Sequence, residues 1–235
     1  MTKPNNLSPK IRPKDMHYKP FPRRRVSFYD EQGRRLFVNL AERTRFADIA
    51  RRRPAEIKCF CGVLYFTGCR LSEAIELKAS SIELESGVIT FRTLKKKKAT
   101  HMRSVPVPGS LLRNLSKTFD LPRKGNAADE LLWTHRGKQI NRTKGYRWIK
   151  AVMDEAQIEG QMATPKGFRH GYAHLALNAG VQLSLVQKLM GHSSIEVTAG
   201  YTDSMMWEER ILVARMWQFA ADPIVHVPFE ESDWD

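Results

Sequence analysis

Helix boundary signals recur from residue 40 onward, and they constrain the fold more than any other feature of the sequence. Thr164-Pro165 places an N-cap residue before a proline at the first helical position, which predicts a helix that runs to Gly180. Gly68 and Gly191 each follow an apolar-patterned segment, as glycines in a left-handed C-cap do. The chain is therefore predicted to be mainly α-helical.

Apolar spacing predicts further helices between these boundaries. One begins at Pro54, where the proline takes the first helical position, and shorter ones cover 71–77 and 183–190. A capping box at Ser193 starts another. The predicted buried stripes are Ile57, Phe60, Cys61 and Leu64 after Pro54, and Phe168, Tyr172, Leu175 and Ala179 after Pro165.

Two strands interrupt the helical pattern. Residues 87–92 and 103–108 are strand-like, and a polar connection with four lysines, Lys95 to Lys98, joins them. A short hairpin with Gly33 in its turn is predicted over residues 26–40. The predicted fold class is mainly α with a small antiparallel β-sheet (α+β).

The charge balance points to nucleic acid as a partner. Lysine and arginine number 39 against 25 acidic residues, a net charge of +14. Residues 1–53 carry 15 basic and 5 acidic side chains, whereas residues 203–235 carry 2 and 8. Residues 1–25 are predicted to form a flexible arm that lies on phosphates; the alternative is a disordered tail that keeps the protein soluble.

The sequence contains no run of 18 apolar residues and no apolar N-terminal signal, so we expect a cytoplasmic protein without a membrane partner. Its three cysteines have no CxxC spacing, and His170 and His174 lack a third ligand at a suitable spacing. The sequence therefore predicts no disulfide framework, no metal and no cofactor.

Basic side chains near helix ends are candidate phosphate ligands. Arg70 follows the Gly68 cap, and Arg169 lies early in the helix that begins at Pro165, where unpaired amides favour an anion. Lys166 precedes Arg169 by three residues, so both should share one helix face. A phosphate between the two cations would explain their proximity; exposed cations screened by water are the alternative.

His192 and Tyr201 are ambiguous when each is considered alone. His192 follows Gly191 at a helix end, where it could bind an anion or satisfy exposed carbonyls. Tyr201 lies nine residues further on, and a single tyrosine is more often a packing residue than a nucleophile.

Four strings of the sequence are informative when they are considered together. They are Thr67-Gly68-Cys69-Arg70-Leu71-Ser72-Glu73-Ala74, Phe168-Arg169-His170, Leu189-Met190-Gly191-His192-Ser193-Ser194 and Tyr201-Thr202. Together they resemble the tyrosine recombinase (phage integrase) family. Order and spacing match that family's arginine, hairpin lysine, His/Lys-x-x-Arg motif, Gly-His pair and tyrosine nine residues on, over about residues 38–203.

The resemblance implies a DNA strand-transfer enzyme that forms a 3′-phosphotyrosine and needs neither metal nor ATP. It implies six catalytic positions: Arg70 and Arg169 as the two arginines, Lys95 in the hairpin, Lys166 at the usual histidine position, His192 at the His/Trp position and Tyr201 as the nucleophile. Lys96 is the alternative to Lys95, and Glu73 matches the acidic residue that often follows the first arginine.

The sequence departs from the family pattern at two points. Lys166 replaces histidine; it keeps a cationic donor but loses easy proton exchange near neutral pH. Residues 1–37 are too few for the usual N-terminal core-binding domain, so the chain looks similar to minimal members such as the fimbrial phase-switch recombinases. We expect a basic arm with a hairpin over 1–37, a catalytic domain over 38–203, and a helix with an acidic tail over 204–235.

The resemblance also implies the partners. These are double-stranded DNA recombination sites at the bacterial nucleoid or a plasmid, a homotetramer on DNA, and accessory DNA-bending proteins. An apolar stripe between Met205 and Trp217 would dock into a neighbouring subunit or fold back onto its own domain. Two other functions stay open: a type IB-like topoisomerase, and a catalytically silent DNA-binding regulator of the same fold.

Overall fold

The computed structural model describes residues 28–93, 101–121 and 129–191. In these ranges, helices dominate and strands are few, so the predicted fold class is confirmed. The helices are α1 (Leu40–Arg51), α2 (Ala55–Thr67), α3 (Leu71–Ile75), α4 (Gly109–Phe119), α5 (Arg142–Glu155), α6 (Pro165–Asn178) and α7 (Leu183–Met190), with a 3-10 turn at Ala79–Ser81. The strands are β1 (Ile82–Glu83), β2 (Val88–Thr93), β3 (His101–Pro106), β4 (Thr134–His135) and β5 (Lys138–Gln139).

The predicted helix boundaries near the candidate site are confirmed. The Thr164 hydroxyl accepts a hydrogen bond from the Gly167 amide at 3.1 Å, and Pro165 occupies the first turn of α6. Gly68 and Gly191 end α2 and α7 with φ values of 56° and 63°. Each of these boundaries depends on one or two residues, which explains why the sequence alone predicts them.

A three-stranded antiparallel sheet, in the order β1-β2-β3, lies beside the helices. β2 and β3 pair from Val88↔Pro106 to Thr93↔His101, and the lysine-rich connection joins Thr93 to His101 in the sequence. Ile89, Phe91 and Val105 point into the core from this sheet.

Two apolar clusters organise the described residues. The larger one joins α1, α2, α5 and α6 around Phe46, Phe60, Trp133, Ile149 and Phe168. The smaller one packs the segment before α1 against α6 and α7, and comprises Phe28, Phe37, Ala173, Leu177, Val186 and Met190.

Several local predictions need correction. The segment from Arg34 does not continue as a strand to Leu40, because Asn39 and Glu42 form a capping box that starts α1. Of the predicted hairpin, the described residues from Phe28 onward form one bridge, Tyr29↔Arg35. The sequence predicts Pro54 to be the first residue of the next helix; it is instead the N-cap of α2, which begins at Ala55.

Two further corrections concern α3 and α6. The helix predicted over 71–77 ends at Ile75. On α6, Ala179 is exposed, and the helix instead buries a face that contains Arg169, His170 and His174. The polar residues on this face find partners from other elements, which the spacing of apolar residues does not reveal.

Other predictions fall on residues outside the described ranges. These are the basic arm, Lys95 to Lys98, the capping box at Ser193, His192, Tyr201 and the apolar stripe from Met205. Within the residues that are described, no helix is both long and apolar enough to cross a membrane.

Candidate active site

Arg70 stands at a sharp turn between two helices. Gly68 ends α2 in the left-handed conformation, and Arg70 is the N-cap residue of α3. A methyl group at Gly68 would lie 2.6 Å from Cγ of Tyr172, so α6 approaches this turn too closely for any side chain there. The glycine therefore lets the turn that carries Arg70 pack directly on α6.

Arg169 is buried and connects this turn to the end of α7. Its Nη1 donates a hydrogen bond to the Gly68 carbonyl at 2.6 Å, and its Nη2 donates to the Met190 carbonyl at 2.5 Å. The structure thus brings the element that carries Arg70 next to Arg169, although 99 positions separate them in the numbering.

Glu73 lies between two arginines. One carboxylate oxygen accepts from Nη1 of Arg70 at 2.6 Å; the other accepts from the Arg70 amide at 2.8 Å and from Nη2 of Arg103 at 2.6 Å. Burial alone raises the pKa of this carboxyl, but the hydrogen bond and charge of Arg103, assisted by Arg70, outweigh it and lower the pKa. Glu73 is therefore an anion that two cations share.

Lys166 and Arg169 have different surroundings despite their spacing on α6. Lys166 is exposed in the first turn of the helix, whereas Arg169 turns inward to the two carbonyls. Burial, followed by the charges of Lys166 and Arg169, lowers the pKa of neighbouring His170 to about 4. His170 is consequently neutral at physiological pH.

Three of the six site positions lie outside the described residues, but their flanking elements do not. β2 ends at Thr93 and β3 begins at His101, so Lys95 belongs to the connection between them. Gly191, which closes α7, directly precedes His192. Tyr201 follows in the same C-terminal part of the chain, and its position stays a prediction.

Arg103 is a site residue that the sequence motifs do not indicate. Its side chain is buried, its Nε donates to the Leu189 carbonyl at 2.8 Å, and its guanidinium carbon lies 4.9 Å from the ring centre of Phe91. The alternation of side chains along a strand could have indicated it. Arg103 lies two positions from the apolar Val105 and therefore on the same inward face of β3, whereas Met102 and Ser104 are exposed on the other face.

The sequence motifs also do not indicate a basic surface that the structure forms from the β4–β5 hairpin and the start of α5. The first turn of α5 contains no acidic residue, and its N-terminal amides favour an anion. Tyr146 is partly exposed on the same helix. The basic residues here are Arg136, Lys138, Arg142, Lys144 and Arg147.

The two histidines of α6 take part in aromatic packing. The rings of His174 and Phe37 stack with centroids 4.0 Å apart, and Phe28 meets both His174 and His170 edge-on. Among the described residues, no group of three His, Cys, Asp or Glu side chains is arranged to hold a metal ion.

The fold is shared with solved site-specific recombinases. The structure of XerA recombinase superimposes with a TM-score of 0.65 and 24% identity, over 77% of this chain and 64% of that one. XerH site-specific recombinase bound to its difH substrate gives a TM-score of 0.63 and 21% identity, over 78% of this chain and 59% of that one. At this level of identity, the likeness defines the fold.

Sequence comparison identifies the family. The model of the phage integrase family matches residues 37–207, most of the chain, and the protein therefore belongs to that family. Tyrosine recombinase XerC of Roseiflexus castenholzii is 33% identical over 62% of this chain and 46% of its own length. Tyrosine recombinase XerD of Yersinia pestis is 32% identical over 63% of this chain and 50% of its own length. The chain thus spans about half the length of these curated relatives.

Proposed function

We propose that the chain is a site-specific DNA recombinase that cleaves and rejoins DNA through a 3′-phosphotyrosine at Tyr201. One observation carries the proposal: Arg169 donates to the carbonyl of Gly68, two residues before Arg70, and so unites the two arginines of the family pattern. Family membership and the names of the tyrosine recombinase relatives support the same activity.

In this proposal, Arg70 and Arg169 stabilise the pentacoordinate phosphorane that forms when the DNA phosphodiester is attacked. Attack by the Tyr201 hydroxyl forms the tyrosine–phosphorus bond and breaks the bond to the 5′ oxygen. The hydroxyl gives up its proton and the departing 5′ oxygen takes one up, so the exchange is balanced in protons. The two guanidinium groups bind the non-bridging oxygens, whose negative charge grows in the transition state, and they keep their charge throughout.

Proton transfer and charge compensation involve the remaining positions. A hairpin lysine, Lys95 or Lys96, gives a proton to the departing 5′ oxygen. His192 donates to the phosphate, and Lys166 supplies a cation where the family usually has histidine. The phosphotyrosine retains the energy of the phosphodiester, so the free 5′ hydroxyl of a partner duplex can reverse the reaction.

We propose double-stranded DNA as the substrate, bound partly through the basic surface at the start of α5. This surface combines cationic side chains with the N-terminus of a 14-residue helix, and both attract backbone phosphates. Solved neighbours that contain a bound substrate, such as XerH with difH, support DNA as the partner. We further propose a homotetramer on DNA, accessory DNA-bending proteins and a cytoplasmic location at nucleoid or plasmid DNA.

Covalent capture tests the activity without knowledge of the target sequence. The chain is incubated with a random-sequence library of nicked duplexes, in which the short released strand diffuses away and traps the adduct. Wild-type protein should give a denaturant-stable protein–DNA adduct, and Tyr201→Phe should give none while it still binds DNA. No wild-type adduct, or an equal yield from the Phe variant, would contradict the proposal.

A two-duplex assay then separates the alternatives. With captured sequences on two linear duplexes, a recombinase exchanges strands between partners. Adduct formation and supercoil relaxation without exchange would indicate a topoisomerase, and DNA binding without any adduct would indicate a silent regulator.

A further inference from the structure

Arg103 anchors the lysine-containing hairpin to the two elements that flank it. It lies on β3, opposite Phe91 of β2, two residues after the strand begins. Its Nη2 reaches Glu73 on α3, and its Nε reaches the Leu189 carbonyl near the end of α7. One side chain therefore connects the hairpin, the Arg70 turn and the last turn of α7, three residues before His192.

The charges around Glu73 depend on Arg103. With Arg70 alone, the buried carboxylate would form a neutral pair, and the positive charge of Arg70 would be largely cancelled. With Arg103 present, two guanidinium groups face one carboxylate, so the group retains a net positive charge. Arg70 is partly exposed, whereas Glu73 and Arg103 are buried, so this charge is presented to solvent through Arg70.

Arg103 also packs against the glycine that closes α7. A methyl group at Gly191 would lie 3.1 Å from both Cδ and Nη1 of Arg103, so the guanidinium lies directly against this C-cap. Nη1 is buried and donates no hydrogen bond within the described part of the chain. The contact fixes the C-cap of α7, which directly precedes His192 in the sequence.

We propose that Arg103 is a positioning residue of the candidate active site. Its positive charge compensates the carboxylate of Glu73, so that Arg70 keeps its own charge for the DNA phosphate, and its contacts hold the end of α7. This inference rests on the proposed function. It predicts that the defect caused by loss of Arg103 is partly an excess of negative charge at Glu73, which a second substitution can remove.

A double-mutant cycle tests this charge relation. Arg103→Met should slow single-turnover adduct formation on captured nicked duplexes by about 10- to 100-fold. Adding Glu73→Gln should restore the rate by roughly 3- to 10-fold, because coupled residues deviate from additivity by such factors. Arg92→Met, on the exposed face of β2, is the matched control for removal of a hairpin charge and should change the rate by less than about 3-fold.

Arg103→Lys keeps the proposal testable if the Met variant does not fold. Lysine retains the charge beside Glu73 and loses the fork, so it should react faster than the Met variant and slower than wild type. A Lys variant with no adduct, or a double variant no faster than Arg103→Met, would show that Arg103 acts only in packing.

A second readout needs no cleavage. Wild-type stability should rise with pH up to about 4.5, the ordinary pKa of a glutamate, because the pKa of Glu73 is lowered in the folded state and the folded protein holds this carboxyl ionised where the unfolded chain is still protonated. Arg103→Met should reduce this rise, and Glu73→Gln should abolish the difference between the two Arg103 backgrounds. If the pH profiles of stability coincide in all variants, the charge relation between Arg103 and Glu73 is refuted. If the profiles differ as expected but the wild-type protein forms no adduct, the proposed function fails and the Arg103–Glu73 coupling stands.

Discussion

Gly68→Ala should be among the most damaging small substitutions near the candidate site. Gly68 has a φ of 56°, where an alanine costs about 1–2 kcal/mol. The added methyl group would also lie 2.6 Å from Cγ of Tyr172, which adds an overpacking cost of about 1–3 kcal/mol. The expected loss of unfolding free energy is therefore about 2–5 kcal/mol, a large fraction of the stability of an ordinary domain.

Gly87→Ala is the matched control for this prediction. Gly87 has a φ of 71°, but a methyl group there meets no atom within 4 Å, so only the backbone cost of about 1–2 kcal/mol applies. Urea unfolding of both variants measures the difference. If Gly68→Ala costs no more than Gly87→Ala, the close approach of α6 to the Arg70 turn does not constrain the protein.

Three further predictions concern charge. Arg70→Ala and Arg169→Ala should each lower the rate of adduct formation by about 100-fold or more, the usual effect of losing one transition-state donor, while DNA affinity changes much less. A variant whose rate stays within a few-fold of wild type would show that its arginine is structural. Deleting residues 1–25 should flatten the log–log salt dependence of DNA binding by about 0.9 for each phosphate that the arm neutralises, and an unchanged slope would indicate a passive tail. Burial, followed by neighbouring cations, lowers the pKa of His170 and of His174 to about 4. The unfolded chain therefore binds more protons than the folded protein between pH 6.5 and 4, and the free energy of unfolding should fall by on the order of 2 kcal/mol per histidine as the pH is lowered through this window. His174→Phe should remove about half of this pH dependence, and an unaltered profile would contradict the assignment.

Local signals account for what the sequence could predict. Gly68 and Gly191 need positive φ, and Thr164 needs only the amide three residues ahead, so each boundary follows from its neighbours. The β2–β3 pair is likewise a short-range feature. These elements place Arg70, Arg169 and the lysine connection at the ends of helices and strands before any tertiary contact is known.

Long-range contacts account for what the sequence could not predict. The Arg103–Glu73 pair depends on how the β2–β3 pair packs against α3 and α7, across 30 positions of the sequence. The buried face of α6 includes Arg169 because carbonyls from two other helices satisfy its guanidinium. A pattern of apolar spacing treats such side chains as exposed, so it assigns Ala179 to the buried face instead.

The acceptors around the arginines suit a site that binds an anion. Gly68 and Met190 lie at the C-terminal ends of α2 and α7, where carbonyls carry partial negative charge. They hold Arg169 in place without cancelling its full positive charge, as a carboxylate would. Leu189 does the same for Nε of Arg103, and Glu73 is the one acidic side chain that bonds both Arg70 and Arg103 among the described residues. Three arginines against one carboxylate leave a positive excess in fixed geometry, which a phosphate in the cleavage reaction would neutralise without rearrangement of its donors.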